Sequence, residues 1–73
     1  MKLLTRELLE EYGFKVNEKK STQKVIVMTH DNFDVVIKSN KECYYSNMGF
    51  DYPLRDGAAL RKIFFEVRGK KLS

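Results

Sequence analysis

Residues 24–39, KVIVMTHDNFDVVIKS, decide the fold. Asp31 and Asn32 both tolerate positive φ, and two such residues between alternating apolar runs signal a hairpin closed by a two-residue turn. Pairing His30 with Phe33 sets Met28 opposite Val35 and Ile26 opposite Ile37, so one face of the hairpin is apolar throughout. The other face carries Val25, Val27, Thr29, Asp34, Val36 and Lys38. Because alternate side chains point to opposite faces, this asymmetry predicts a sheet covered on one side by helices.

The flanks supply those helices. In LLTRELLEEYGF, Thr5 is placed to cap a helix, Leu4 and Leu9 stand at the hydrophobic-staple spacing, and Glu7 lies where the helix dipole favours an acid. Gly13 then ends the helix, and Phe14 can pack back on Leu9. Leu8, Leu9 and Tyr12 form its apolar stripe, and at under three turns the helix depends on the sheet beneath it. At the other end, Leu60, Ile63, Phe64 and Val67 recur at helical spacing, which predicts a helix from Pro53 or Gly57 to Arg68 with all four buried. Gly57 would let this helix approach the sheet closely, and Gly69 terminates it.

Between these elements, KVNEKKSTQK (15–24) is polar, basic and turn-like, SNK (39–41) makes a second turn, and ECYYS (42–46) is a third short strand. Phe14 to Asn17 could add an edge strand. NMGFDYPLRDG (47–57) reads as a bend rich in turn formers. The expectation is a single α+β domain over residues 1–73. It has a short N-terminal helix, a three- or four-stranded antiparallel meander and a C-terminal helix, with both helices on one sheet face.

Seventy-three residues leave nothing for a second core, and a chain this short buries only about 60% of its unfolded surface. The single cysteine, Cys43, cannot form an intramolecular disulfide or a multi-cysteine metal site, which fits a reducing compartment. Leu3 and Leu4 give way at once to Thr5, Arg6 and Glu7, too soon for a secretory signal, and no apolar run is long enough to span a membrane. The expected location is the cytoplasm. Fourteen Lys and Arg against ten Asp and Glu give a net charge of +4, a weak bias toward acidic partners.

The layout of LTRELLEEYGF (4–14), short strands, then LRKIFFEVRGKKL (60–72) resembles small uncharacterised proteins of bacteriophages and Bacteroides-like bacteria. Those open with a helix ending in Gly-Phe and close with a helix ending in Thr-Gly-x-x-Leu. Gly13 and Phe14 fit the opening. Gly69 and Leu72 fit the close, with Arg68 where the threonine would stand. The resemblance implies a fold and a mobile-element context, and no activity.

Catalysis finds little purchase in these residues. His30 and Cys43 lie on different strands and would need a third group to act as a pair. Asp31, Asp34, Asp51 and Asp56 are scattered, without the clustering that metal-assisted hydrolysis needs, and the glycines fit no phosphate-binding loop. No enzyme activity, metal or cofactor is expected. Two surfaces remain. Val25, Val27 and Val36 project from the face away from the helices and form a candidate interaction face, for a protein partner or a second copy of the chain. Lys19, Lys20, Lys24, Lys38 and Lys41, with whichever of Tyr44 and Tyr45 faces outward, are candidate contacts for single-stranded nucleic acid or RNA, the alternative reading. Arg61, Lys62, Arg68, Lys70 and Lys71 form no single stripe and Glu66 interrupts them, so the basic end of the last helix is read as serving solubility and helix termination.

Overall fold

The hairpin forms in the expected register. In the computed structural model, which describes residues 3–47 and 49–72, β2 (Ile26–His30) pairs antiparallel with β3 (Phe33–Ile37), His30 opposite Phe33 and Ile26 opposite Ile37. Asp31 and Asn32 between them hold φ of 52° and 62°, the two successive positive values of a type I′ turn. Around this pair stand α1 (Arg6–Glu11), β1 (Lys15–Val16), β4 (Cys43–Asn47), β5 (Phe50–Leu54) and α2 (Gly57–Arg68). The five strands make one antiparallel sheet in sequence order.

That sheet has one or two strands more than the sequence suggested. β1 is the proposed edge strand, shortened to two residues. The addition is β5, which occupies residues read as a bend because of Gly49, Asp51 and Pro53. It pairs along its whole length with β4, from Asn47 opposite Phe50 to Cys43 opposite Leu54. Pro53 is tolerated because β5 lies at the sheet edge, where no further strand asks for its missing N–H. Beyond Pro53 the chain start takes over that edge: the Leu4 amide donates to the Arg55 carbonyl at 2.9 Å, and Leu3 bridges to Asp56.

Both helices are bounded by caps close in sequence, and α2 takes the later of its two expected starts, Gly57, because Pro53 belongs to β5. Thr5 Oγ1 accepts from the Leu8 amide, and Asp56 Oδ1 accepts from the Ala59 amide. At the end of α1, the Gly13 amide reaches the Glu10 carbonyl and the Phe14 amide reaches the Leu9 carbonyl, both at 3.0 Å. This double bond pattern with Gly13 at φ 99° is a Schellman termination, and it turns Phe14 into the core beside Leu9. α2 ends in the simpler form, the amide of left-handed Gly69 bonding the Phe65 carbonyl.

Leu9 of α1 and Leu60 and Phe64 of α2 share one core with Met28, Phe33, Val35, Ile37, Cys43, Tyr45 and Leu54 of the sheet, and Leu72 closes it from the tail. Phe33 is its centre, stacked on Tyr45 at 4.3 Å and tilted against Phe64 at 5.1 Å. Val67, expected in this core, is 43% exposed, and Ile63 is half-buried. The reason is the path of α2. It starts where β5 ends, at Asp56, and finishes at the β2–β3 turn, where Arg68 and Lys70 both reach Asp31. A helix crossing the sheet obliquely emerges from the core on the line that was buried at Leu60, and Val67 is two turns further along that line.

Candidate interaction surfaces

The face away from the helices carries Val27, Val36, Tyr44 and Pro53 as an unbroken cross-strand row. The register therefore settles the tyrosine pair. Tyr45 is buried between Phe33 and Tyr52, while Tyr44 projects from the open face. The three valines do not form an open apolar patch, however: Val27 is only 6% exposed, and Val25 and Val36 are half-buried. Residues 17–21 fold back along β2 where β1 stops. The Asn17 amide donates to the Val27 carbonyl at 2.7 Å, and Ser21 Oγ accepts from the Val27 amide at 2.9 Å, taking the place of the next strand.

The basic residues of that loop are partly engaged. Lys20 Nζ meets Asp34 Oδ2 at 2.6 Å, and Asp34 also accepts from the Thr29 hydroxyl, which in turn accepts from the Asn17 amide group. Lys19 stands exposed in the turn before it. Further along the face, Lys38 Nζ lies 4.3 Å over the Tyr44 ring and 3.9 Å from Asp51. The Tyr44 hydroxyl donates to Glu42, and that bond, with lesser contributions from burial and the Glu42 and Asp51 charges, holds the phenol above its usual range. Lys38 therefore occupies a face of the ring on which a base would have to stack.

A groove of about 1100 Å³ crosses the end of the sheet where β2 and β4 begin and β3 and β5 end. Three of the candidate lysines, Lys24, Lys38 and Lys41, reach it, together with Tyr44. Arg6 and Arg55, which the sequence reading passed over, join them from the chain start and from the residue after β5. Their contribution depends on the Leu4–Arg55 pairing, which no local pattern announces.

A second surface was also missed. Because α2 runs obliquely, it leaves uncovered the corner of its own sheet face nearest the β4–β5 connection. Phe50 and Tyr52, on that face of β5, are 68% and 46% exposed, and Val67 lies on the flank of α2 away from Arg61. Arg61 marks the opposite flank because it donates to the Tyr12 hydroxyl of α1 at 2.6 Å.

His30 and Cys43 are kept apart. His30 stacks on Phe64 beside the β2–β3 turn, whereas Cys43 pairs with Ile37 at the other end of the strands, at least roughly 13 Å away at the rise of an extended chain. Burial pushes the Cys43 thiol up, away from the thiolate, and the sulfur points at the Leu4 carbonyl at 3.6 Å. The aspartates serve separate structures: Asp31 the end of α2, Asp34 the Thr29 network, Asp51 Lys38, and Asp56 the start of α2. Among the described residues no group of three or more His, Cys, Asp or Glu side chains could hold a metal ion, and no helix is long and apolar enough to cross a membrane. The chain matches no protein-family model, no curated protein and no solved structure, so the likeness to phage and Bacteroides-like proteins gains no support from them.

Proposed function

We propose that this is a non-catalytic protein-interaction or accessory domain that also contacts its own copies. The observation that carries the reading is the pair Phe50 and Tyr52, both exposed on the helix-facing side of the edge strand β5. Two neighbouring aromatic rings left open cost solubility, and contiguous exposed apolar surface marks where another protein binds. A core this small gains in proportion from such cover. Edge-to-edge pairing is the less favoured mode. β5 presents Pro53 and the covering residues Leu3 and Leu4, and β1 offers two residues.

Measuring the mass in solution over a wide concentration range tests this. The wild type is expected to rise above the 8.6 kDa of one chain, and Phe50→Asp combined with Tyr52→Ser to remain at it. A wild type that stays monomeric removes self-association. The same variant then has to lose a protein recovered by the wild type from the native host in a nuclease-resistant manner, or the reading fails.

A second reading, weak binding of single-stranded nucleic acid or RNA, draws on the meeting of Lys24, Lys38 and Lys41 with Tyr44 at the groove. It predicts an affinity that falls steeply with salt, because phosphate contacts release counterions. The Lys38 ammonium over the Tyr44 ring and the bond of its hydroxyl to Glu42 weigh against it.

A further inference from the structure

We infer that the groove at the end of the sheet is a docking site for an extended, acidic peptide segment that carries an apolar anchor. The inference rests on the protein-interaction reading in supposing that the partner is a polypeptide, and it concerns a surface separate from the Phe50 corner.

Charge indicates the sign of the occupant. Among the described residues, five cations line the groove, Arg6, Lys24, Lys38, Lys41 and Arg55, against two carboxylates, Glu7 and Glu42. Arg6 is held by Glu10 and Lys38 by Asp51, both in exposed pairs. Lys24, Lys41 and Arg55 make no ion pair with any described residue, and all three are exposed. A concave site whose cations are left without acids of the same chain favours an anionic visitor and speeds its arrival.

The lining indicates its kind. Leu3, 74% exposed, stands at the groove with half-buried Val25 and Ile26 and exposed Pro53, so an anion without apolar groups, such as a sugar phosphate, would leave apolar surface wet. Tyr44 is the sole aromatic side chain on the lining, and Lys38 lies over it. A single strand of nucleic acid would want the stacking platform that is missing. At about 1100 Å³ the groove stands at the upper end of the range of ligand pockets, with room for a length of chain and one or two side chains set down on the apolar part. Acidic side chains along such a segment would meet Lys24 and Arg55 on the flanks and Lys41 in the β3–β4 turn.

The test uses fluorescent peptides in which Asp and Glu alternate with Leu and Phe, read by anisotropy at about 50 mM salt against the whole chain. Three controls accompany them: the same peptides with Asn and Gln for the acids, an oligo-Glu peptide without apolar residues, and single-stranded oligo(U). The acidic-apolar peptides are expected to bind at least tenfold more tightly than either peptide control and to lose at least tenfold between about 50 and 200 mM salt. The variant Lys24→Glu, Lys41→Asn and Arg55→Glu should abolish that binding, asparagine being chosen because Lys41 has φ 69°. Equal binding by that variant, absence of binding by every acidic-apolar peptide, or preference for oligo(U) would each overturn the inference. If the peptides fail while Phe50→Asp with Tyr52→Ser still changes the mass or loses a partner, only the groove is refuted and the interaction reading stands.

Discussion

Replacing Gly57 by alanine should destabilise the protein, although alanine is the better helix former. In an unencumbered helix the exchange gains up to about 1 kcal/mol, less in the first turn. Here a methyl group at position 57 would stand 2.6 Å from the Tyr12 hydroxyl oxygen, a separation that real contacts do not reach. Tyr12 would have to withdraw, and with it goes its 2.6 Å bond from Arg61, which at an exposed site contributes about 0.5–1.5 kcal/mol. The net expectation is a loss of about 0.5–1 kcal/mol, or several degrees in Tm for a chain of this size. In a Tyr12→Phe background the sign should reverse. The obstructing oxygen is gone, the ring carbon Cε2 lies at an ordinary 3.6 Å from the new methyl, and Arg61 Nη1, a tight 3.2 Å away, is the end of a flexible side chain released from Tyr12 and free to give way. Urea denaturation of the four proteins of this cycle gives the coupling directly, with about 1–2 kcal/mol expected. If alanine at 57 changes stability equally in both backgrounds, within about 0.5 kcal/mol, then α1 and α2 do not meet through Tyr12 as described.

Two other perturbations probe the remaining contacts. Ser21→Ala leaves the part-buried Val27 amide without its acceptor, so it should cost about 1–3 kcal/mol and accelerate hydrogen exchange at Val27 far more than at Val35; unchanged exchange at Val27 would mean that the 17–21 loop does not close the β2 edge. Lys70 chiefly, with Arg68, holds the Asp31 carboxyl below its ordinary range, so the stabilisation from these pairs is complete above that range and fades as pH falls through the lowered value. Asp31→Asn should therefore lower Tm at neutral pH and flatten its decline between about pH 5 and pH 2, and a decline as steep as that of the wild type would exclude Asp31 from the acid response.

The β2–β3 hairpin, both ends of α1, the C-terminal end of α2 and the existence of an apolar sheet face were determined by the sequence alone, because each follows from interactions within a few residues; the start of α2 was left between Pro53 and Gly57 until β5 claimed Pro53. Asp31 and Asn32 admit only a tight turn, Gly13 only a helix end, and alternation along 26–37 only one buried face. What lay beyond reach depended on partners distant in the chain. β5 exists because β4 pairs with it and because an edge forgives Pro53, while local chemistry at Gly49, Asp51 and Pro53 argues for a bend. Tyr44 and Tyr45 have equal claim to the core until the β3–β4 register puts Tyr45 on Phe33. Val27 has the pattern of an outward residue yet is only 6% exposed, and its amide is held by Ser21 of a loop that returns to the sheet edge. The oblique crossing of α2 exposed Val67, Phe50 and Tyr52, and the attachment of Leu4 to Arg55 assembled the basic groove. Packing directions of this kind arise from the summed shapes of side chains across elements, and no periodicity along one segment encodes them.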